Sequence, residues 1–178
     1  ASRLSSRVRN NLNLIWIDER VVPPGHPERN DRSILASWKA GGELPAFICP
    51  MPVEENSLEE AAAEYTARIE KIAPGGIIDC CLLGVGEDGH IASLFPGHPA
   101  LDKSGVVLPI YDSPKPPPRR LTLSLETINR ARSRVVLAPG AAKRAICEKA
   151  ISLSDPSLPV SLLAEKNTIC FMEKPGGG

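Results

Sequence analysis

The segment from residue 84 to residue 90 combines the residue types that activate a water molecule. Gly84 and Gly86 follow an apolar run, and Asp88, Gly89 and His90 come shortly after them. Glycines let the backbone turn sharply and approach a ligand closely. A carboxylate beside an imidazole holds the tautomer of the ring and raises its basicity, as a general base requires. The segment therefore predicts an acid–histidine pair, against the alternative of a polar turn with a surface histidine.

Positively charged residues in two other segments suit an anionic ligand such as a phosphate. Lys115, Arg119 and Arg120 flank the prolines of SPKPPPRR, and a proline-stiffened loop loses less entropy when its cations are ordered. Lys143 falls in the first turn of a predicted helix, where the helix N-terminus already favours anions. The alternatives are a proline-rich ligand for an aromatic groove, since PKPP is a PxxP sequence, and an ordinary surface lysine.

The Asp18-Glu19-Arg20 cluster follows a predicted strand directly, and alone it is typical of solvated charge at a strand end. Taken with the acid–histidine pair and the cations, it suggests a small phosphorylated substrate and proton-transfer or hydrolytic chemistry. The sequence has no P-loop, no HExxH and no GxSxG pattern. The residue types alone lead no further.

The elements that must position these clusters alternate between apolar strands and amphipathic helices. The clearest helix begins at a capping box formed by Ser57 and Glu60 and ends before Pro74. Alternation of this kind predicts an α/β fold with a mostly parallel, open, Rossmann-like sheet and helices on both faces. Ligands of such sheets bind beyond the carboxyl ends of the strands. The predicted strands are 12–17, 77–86, 105–110, 120–125, 132–139 and 167–173, and the predicted helices are 32–40, capped by Asp31, 57–73 and 140–152.

Composition narrows the class of protein. The 178 residues predict a single domain over 1–178, and 21 basic against 21 acidic residues give no net charge to attract nucleic acid or an anionic membrane. No apolar run reaches the length of a membrane span. The first residues lack the apolar core of a secretion signal, although a piece of an organelle transit sequence fits them. The five cysteines have no zinc spacing, which predicts buried, reduced thiols.

Four segments, in order, resemble the 6-phosphogluconolactonases. They are WIDERVVP with His26 and Asn30 downstream, LLGVGEDGHIASLFPGHPAL, YDSPKPPPRRLTLS and GAAK, and together they extend from about Leu12 to Met172. Glucosamine-6-phosphate deaminases are similar at the DGH segment but continue into an Asn-Glu pair. Here Ser93 to Pro96 follow without a glutamate, so the resemblance favours the lactonases.

The resemblance implies an α/β fold of the glucosamine-6-phosphate deaminase type. It also implies hydrolysis of 6-phospho-D-glucono-1,5-lactone to 6-phosphogluconate in the oxidative pentose phosphate pathway, without cofactor or catalytic metal. His90 would be the general base that activates water. The other implied roles are orientation and charge stabilisation by Asp18, Arg20 and Asp88, and substrate or phosphate binding by Arg120, Lys143, Lys115, Gly84, Gly86 and Gly89.

This chain departs from the resemblance in three places. The family's first strand and helix and its Gly-Gly phosphate loop precede the point where this chain begins, so the domain is expected to be incomplete at its N-terminus. Arg29-Asn30 replaces a usual Ser-Asn, and EKPGGG replaces a C-terminal helix. Loss of the loop predicts weaker phosphate binding and an exposed sheet edge. It also motivates a second hypothesis, a non-catalytic or degenerate sugar-phosphate-binding protein.

The resemblance further implies a small-molecule sugar-phosphate lactone as the partner, with no nucleic acid and no membrane. A fused or associated glucose-6-phosphate dehydrogenase is a further expectation. The implied compartment is the cytoplasm, with an organelle stroma as the alternative.

Overall fold

The computed structural model describes residues 4–54 and 57–173, and it confirms the predicted α/β class with parallel sheets. The strands are β1 (Asn13–Ile15), β2 (Asp18–Arg20), β3 (Phe47–Cys49), β4 (Cys80–Gly84), β5 (Val107–Ile110), β6 (Arg120–Leu123), β7 (Ser133–Ala138) and β8 (Thr168–Met172). The helices are α1 (Ser6–Asn10), α2 (Asn30–Ala40), α3 (Leu58–Ile72), α4 (Leu125–Arg130) and α5 (Ala141–Leu153), with single 3-10 turns at Pro74–Gly76, Pro99–Asp102 and Pro159–Leu162. Apart from Glu173, the EKPGGG segment lies outside the described residues.

The strands form three sheets where the sequence predicted one. Strands β1 and β3 pair in parallel, and β4, β7 and β8 form a second parallel sheet. Strands β2, β6 and β5 form an antiparallel sheet. Of the predicted strand 12–17, only Asn13–Ile15 is a strand, β1, and β2 begins after it at Asp18. The strand ends before Trp16 because the buried hydroxyl of Tyr65 accepts the backbone N–H of Trp16 at 2.7 Å and donates to the carbonyl of Cys49 at 2.9 Å. A side chain thus takes the hydrogen bond that would have continued the strand.

Helix α3 matches its prediction, since the Ser57 hydroxyl accepts the N–H of Glu60 at 3.2 Å. Helix α2 begins two residues earlier than predicted, and Asp31 lies in its first turn, so the predicted cap at Asp31 was wrong. Helix α4 was missed, because the predicted strand 120–125 continued past the end of β6 at Leu123. Ser124 instead caps α4, and its hydroxyl accepts the Thr127 N–H at 3.0 Å.

One face of the β4–β7–β8 sheet is covered and the other is open. Cys81 and Leu83 are buried, whereas Leu82 and Phe171 are 64% and 60% exposed. Helices were expected on both faces, but in residues 4–54 and 57–173 none covers the face that carries Leu82 and Phe171. Because successive strand residues point to opposite faces, Cys80 is exposed, and the prediction that it is a buried thiol was wrong.

No helix within the described part of the chain is both long and apolar enough to cross a membrane.

Candidate active site

The loop after β4 folds back on itself and presents Asp88 and His90. The Gly86 N–H donates to the His90 carbonyl at 2.9 Å, and the Gly89 N–H donates to the Gly86 carbonyl at 3.0 Å. A short bridge between Val85 and Ile91 closes the base of the loop. The two predicted functional side chains therefore project from a turn whose ends are tied to each other.

Asp88 and His90 form the acid–histidine pair that their spacing predicts. Asp88 Oδ1 lies 2.5 Å from His90 Nδ1 and 3.3 Å from the backbone nitrogen of His90. A carboxylate at Nδ1 holds the ring proton there and leaves Nε2 as the basic nitrogen. The ring of His90 packs on Phe95, with centroids 4.7 Å apart, and the side chain keeps 20% of its surface exposed. The arrangement thus orients an imidazole that water can reach.

Lys115 of the proline-rich loop joins this pair rather than lying apart from it. Its Nζ lies 2.9 Å from Asp88 Oδ2 and 3.3 Å from His90 Nδ1. Since a protonated amine and an Nδ1–H are both donors, the bond that Lys115 makes is the one to Asp88. Ser113 and Arg120 both donate to the Lys115 carbonyl, at 2.9 and 3.0 Å, which places the backbone of this loop.

Burial and the positive charge of Lys115 keep His90 in the form that accepts a proton. Burial lowers the pKa of His90, Asp88 opposes this shift by hydrogen bonding, and the positive charge of Lys115 reinforces it. Burial alone would raise the pKa of Asp88, but the hydrogen bonds from Lys115 and His90 together lower it well below its usual range. At neutral pH the site therefore holds a neutral imidazole beside an ionised carboxylate.

Two glycines are required by the shape of this loop. A Cβ on Gly86 would overlap His90 Nδ1 and would lie 2.5 Å from Asp88 Oδ1, so the pair packs directly on the glycine backbone. Gly89 has a φ of +82°, which favours glycine, and a Cβ there would lie 2.9 Å from Leu158 Cδ2. A Cβ on Gly84, the last residue of β4, would meet no heavy atom within 4 Å, so the space beside it is open.

Arg20 and Arg120 are neighbours in the antiparallel sheet, because they are paired residues of the adjacent strands β2 and β6. Arg120 is only 3% exposed, and its guanidinium donates to the carbonyls of Pro117, Lys115 and Pro116. Burial and the neighbouring charge of Arg20 lower the pKa of Arg120. Within the described residues neither guanidinium is ion-paired with a carboxylate. Two adjacent cations of this kind suit an anionic ligand.

Phe95 connects the two groups of charges. The Arg120 guanidinium lies 5.5 Å from the centroid of the ring on which His90 also packs. The general-base candidate and the buried arginine are therefore neighbours of one aromatic side chain. Phe95 was not identified as a site residue from the sequence, and its place five residues after His90 is the signal that could have indicated it.

Asp18 joins β2 to the His90 loop. Its Oδ2 accepts the Ser93 hydroxyl at 2.8 Å, and its Oδ1 lies 3.2 Å from Asn30 Nδ2. The Ser93 N–H in turn donates to Thr122 Oγ1 of β6 at 3.3 Å. Sequence reasoning missed Ser93, because a serine in a turn carries no signal of its own. The negative charge of Asp18 also acts on His90, whose pKa it raises against the effect of burial.

Lys143 is a predicted site residue that makes no described contact with His90 or Arg120. It lies in the first turn of α5, and α5 follows β7, whose Leu137 pairs with Gly84 at the end of β4. The lysine is therefore at the same edge of the sheet as the His90 loop. No hydrogen bond or ion pair joins it to Arg120 or His90 in the part of the chain that the structure describes, and its phosphate-binding role stays a prediction.

The described residues include no cluster of three or more His, Cys, Asp or Glu side chains suited to a metal ion. A cavity of about 290 Å³ lies between α5 and β8 and is lined mainly by apolar side chains. None of the predicted site residues lines it, so the chemistry is placed at the more open surface around His90.

Comparisons with known proteins show the family of this chain. A family described as glucosamine-6-phosphate isomerases/6-phosphogluconolactonase matches residues 2–171. A probable 6-phosphogluconolactonase of Arabidopsis thaliana is 37% identical, with 92% of this chain and 68% of that protein covered. A probable chloroplastic 6-phosphogluconolactonase of rice (Oryza sativa subsp. indica) is 35% identical, with 91% and 55% covered. The chain thus spans about half the length of the rice relative.

Among solved structures, the 6-phosphogluconolactonase of Thermotoga maritima superimposes with a TM-score of 0.80 at 24% identity. The match covers 91% of this chain and 72% of that one, and it supports the fold. Together with the match over residues 2–171, these likenesses establish that the chain belongs to the glucosamine-6-phosphate isomerase/6-phosphogluconolactonase family.

Proposed function

We propose that this chain carries the active site of a 6-phosphogluconolactonase, which hydrolyses 6-phospho-D-glucono-1,5-lactone to 6-phosphogluconate. The observation that carries the proposal is His90, held at Nδ1 by Asp88 at 2.5 Å, with its pKa lowered by burial. Its neighbour Phe95 also contacts Arg120, which pairs with Arg20 in the sheet, and neither arginine has a carboxylate partner among the described residues. The rice and Arabidopsis relatives are probable 6-phosphogluconolactonases, which supports the same activity.

In the proposed mechanism, Nε2 of His90 accepts a proton from water as the water oxygen bonds to the lactone carbonyl carbon. Asp88 stabilises the imidazolium that forms, through the Nδ1–H bond. The tetrahedral intermediate then expels the ring oxygen, which takes the proton back from Nε2 as the carbon–oxygen bond breaks. The carboxylic acid product ionises to solvent. A lactone is already an activated ester, so a positioned base and an anion clamp suffice without a covalent nucleophile.

The phosphate is assigned to the positive charges of Arg120 and Lys143, with Arg20 next to Arg120. The carbonyls that hold the Arg120 guanidinium give it one orientation, so little entropy is lost when the phosphate binds. Phosphate binding by Lys115 stays a prediction, but its ion pair with Asp88 supports a further role beside His90. We assign to it the tuning of His90 and contact with the sugar, and to Asp18 the orientation of the water or the lactone. Gly84 leaves open space through which the substrate could approach the loop backbone, whereas Gly86 and Gly89 make room for the Asp88–His90 pair and for Leu158.

The test is hydrolysis of freshly prepared lactone, measured above the spontaneous rate, for the wild-type chain, His90→Ala and His90→Gln. Both variants are expected to lose nearly all enzymatic rate while they keep the thermal unfolding midpoint of the wild type, because the side chain is partly exposed. Equal rates in wild type and variants would exclude His90 as the base.

A non-catalytic sugar-phosphate-binding protein is the alternative hypothesis, and the 6-phosphogluconolactonase relatives do not favour it. Calorimetric titration with 6-phosphogluconate separates the two. Binding with no turnover of the lactone would favour the alternative hypothesis, whereas turnover that depends on His90 would exclude it. Release of ammonia from glucosamine 6-phosphate would instead indicate a deaminase. We expect no release, because the sequence has no Asn-Glu pair after DGH.

The proposal also covers the supply of substrate and the compartment. Glucose-6-phosphate dehydrogenase, fused or associated, is proposed as the source of the short-lived lactone, and co-purification with that enzyme tests this. The proposed compartment is the cytoplasm, with the organelle stroma as the alternative in view of the chloroplastic rice relative. A fluorescent fusion of the full reading frame distinguishes them.

A further inference from the structure

Glu19 is a fully buried carboxylate that the proposed mechanism does not use. It lies in β2 between Asp18 and Arg20, and none of its surface is exposed. Its Oε1 accepts the backbone N–H groups of Arg20 and Asn30, each at 2.8 Å, and its Oε2 accepts the N–H of Asp31 at 2.8 Å. Burial raises the pKa of Glu19, and the three backbone hydrogen bonds oppose that shift. A carboxylate buried among three donors has a specific structural partner, and that partner is the start of α2.

Helix α2 depends on Glu19 for its N-terminal cap. The residue at the cap position, Arg29, makes no side-chain hydrogen bond to the backbone N–H groups of the helix, although its guanidinium pairs with the side chain of Asp31 in the first turn. Asn30 and Asp31 are the first two residues of the helix, and their N–H groups would lack helical partners without Glu19. A negative charge at this end also interacts favourably with the helix dipole. A strand residue therefore replaces the usual local cap and docks the helix against β2.

The docked helix in turn holds Asp18. Asn30, the first residue of α2, donates from Nδ2 to the Asp18 carbonyl at 2.9 Å and lies 3.2 Å from Asp18 Oδ1. The other carboxylate oxygen of Asp18 accepts the hydroxyl of Ser93, three residues beyond His90. The contacts thus run from Glu19 through Asn30 and Asp18 to the loop that carries the general base.

We propose that Glu19 is a positioning residue, which sets the orientation of Asp18 at the active site by docking the N-terminus of α2. The proposal rests on the proposed lactonase activity for its kinetic test, but its structural part is measurable without turnover. Glu19 touches neither the substrate nor the reacting atoms, and it acts through Asn30 and Asp18.

The kinetic test compares Glu19→Gln, Asp18→Asn and the double variant with wild type. Glutamine presents an NH2 group to backbone donors, so docking weakens, and kcat is expected to fall about 10- to 100-fold because misplacement by about 1 Å has effects of this size. If Glu19 acts through Asp18, the double variant loses no more activity than Asp18→Asn alone. Additive losses would overturn the proposal, because general destabilisation adds to any defect. Glu43→Gln, whose side chain is 82% exposed, is the matched control and keeps wild-type kcat.

Amide hydrogen exchange gives a readout that is independent of activity. The amides of Asn30 and Asp31 should exchange faster in Glu19→Gln than in wild type, while amides of α5 should not change. Unchanged exchange at Asn30 and Asp31 would overturn the docking role. If Glu19→Gln does not fold, Asn30→Ala removes the next contact and must lower kcat without adding to Asp18→Asn. If the wild-type chain has no turnover, the proposed function fails, and the positioning role is then decided by this exchange and by the affinity for 6-phosphogluconate, which must fall in Glu19→Gln.

Discussion

The two groups of charges around Phe95 differ in how their charges are compensated. Asp88, His90 and Lys115 lie within 3.3 Å of one another, and each shifts or opposes the ionisation of its neighbours. Arg20 and Arg120 instead lie side by side and hydrogen-bond to carbonyl groups, which carry no full charge. Compensated charges tune the pKa of a base, whereas uncompensated cations attract an anion. In the proposed function, the first group performs the chemistry and the second binds the substrate.

The largest expected effect comes from breaking the compensated group at Asp88. In Asp88→Asn the amide can present its NH2 group to His90 Nδ1, which favours the tautomer with the proton on Nε2. We expect kcat to fall about 10²- to 10⁴-fold, the range that general-base catalysis contributes, with little change in KM. Steady-state kinetics of lactone hydrolysis measures both constants. A large rise in KM with unchanged kcat would instead assign Asp88 to substrate binding.

The next largest loss of activity is expected where the Asp88–His90 pair packs on the backbone of Gly86. Gly86→Ala places a Cβ where it overlaps His90 Nδ1, so the imidazole must move away. We expect kcat to fall about 100-fold, as for a displacement near 1 Å, and the unfolding midpoint to drop. Gly84→Ala is the matched control for stability, since a methyl group there meets no heavy atom within 4 Å. Equal unfolding midpoints for the two variants would contradict this packing.

Breaking the uncompensated group should change binding rather than chemistry. Arg120→Ala removes a charge-assisted contact to the phosphate, which is worth about 1.5–3 kcal/mol, so we expect KM to rise about 10- to 100-fold. Arg120 also donates to the Lys115 carbonyl, so a smaller fall in kcat from displacement of that loop is expected as well. Loss of the phosphate contact itself should leave kcat nearly unchanged. The reason is that the phosphate is bound equally in the ground state and the transition state. Lys143→Ala should raise KM less, because no contact joins Lys143 to Arg120 within the described residues. A fall in kcat at constant KM would show that Arg120 acts in the chemical step.

The smallest expected change is a shift of the pH profile, produced by removing the charge of Lys115 from the group around His90. The positive charge of Lys115 lowers the pKa of His90, so Lys115→Met should raise that pKa. Because the neutral imidazole is the active form, the acid limb of the kcat/KM profile should move to higher pH. Lys39→Met, which changes an exposed lysine at the end of α2, should leave the profile where it is. A shift to lower pH would mean that loss of the ion pair with Asp88 outweighs loss of the charge.

Local pattern predicted much of the fold. Ser57 and Pro74 mark the ends of α3 as expected, and the apolar run before Gly84 is a strand of a parallel sheet. The predictions failed where a distant side chain intervened. Tyr65 ends β1 from a position 49 residues away along the chain, and no window around residue 16 contains that information. The cap of α2 was assigned to Asp31 for the same reason, since Glu19 supplies it from another element.

The sequence by itself determined the Asp88–His90 pair, because two residues on either side of a glycine in one turn meet through local backbone geometry. Only the tertiary structure decided that Lys115, 25 residues from His90, completes that pair, and that Ser93 reaches Asp18 across 75 residues. Contacts over such separations depend on how strands pair and how helices dock, which the packing of the whole core sets. The residue types could therefore indicate the chemistry. Only the folded chain shows that His90 has charged partners, whereas Arg20 and Arg120 have no ion pair among the described residues.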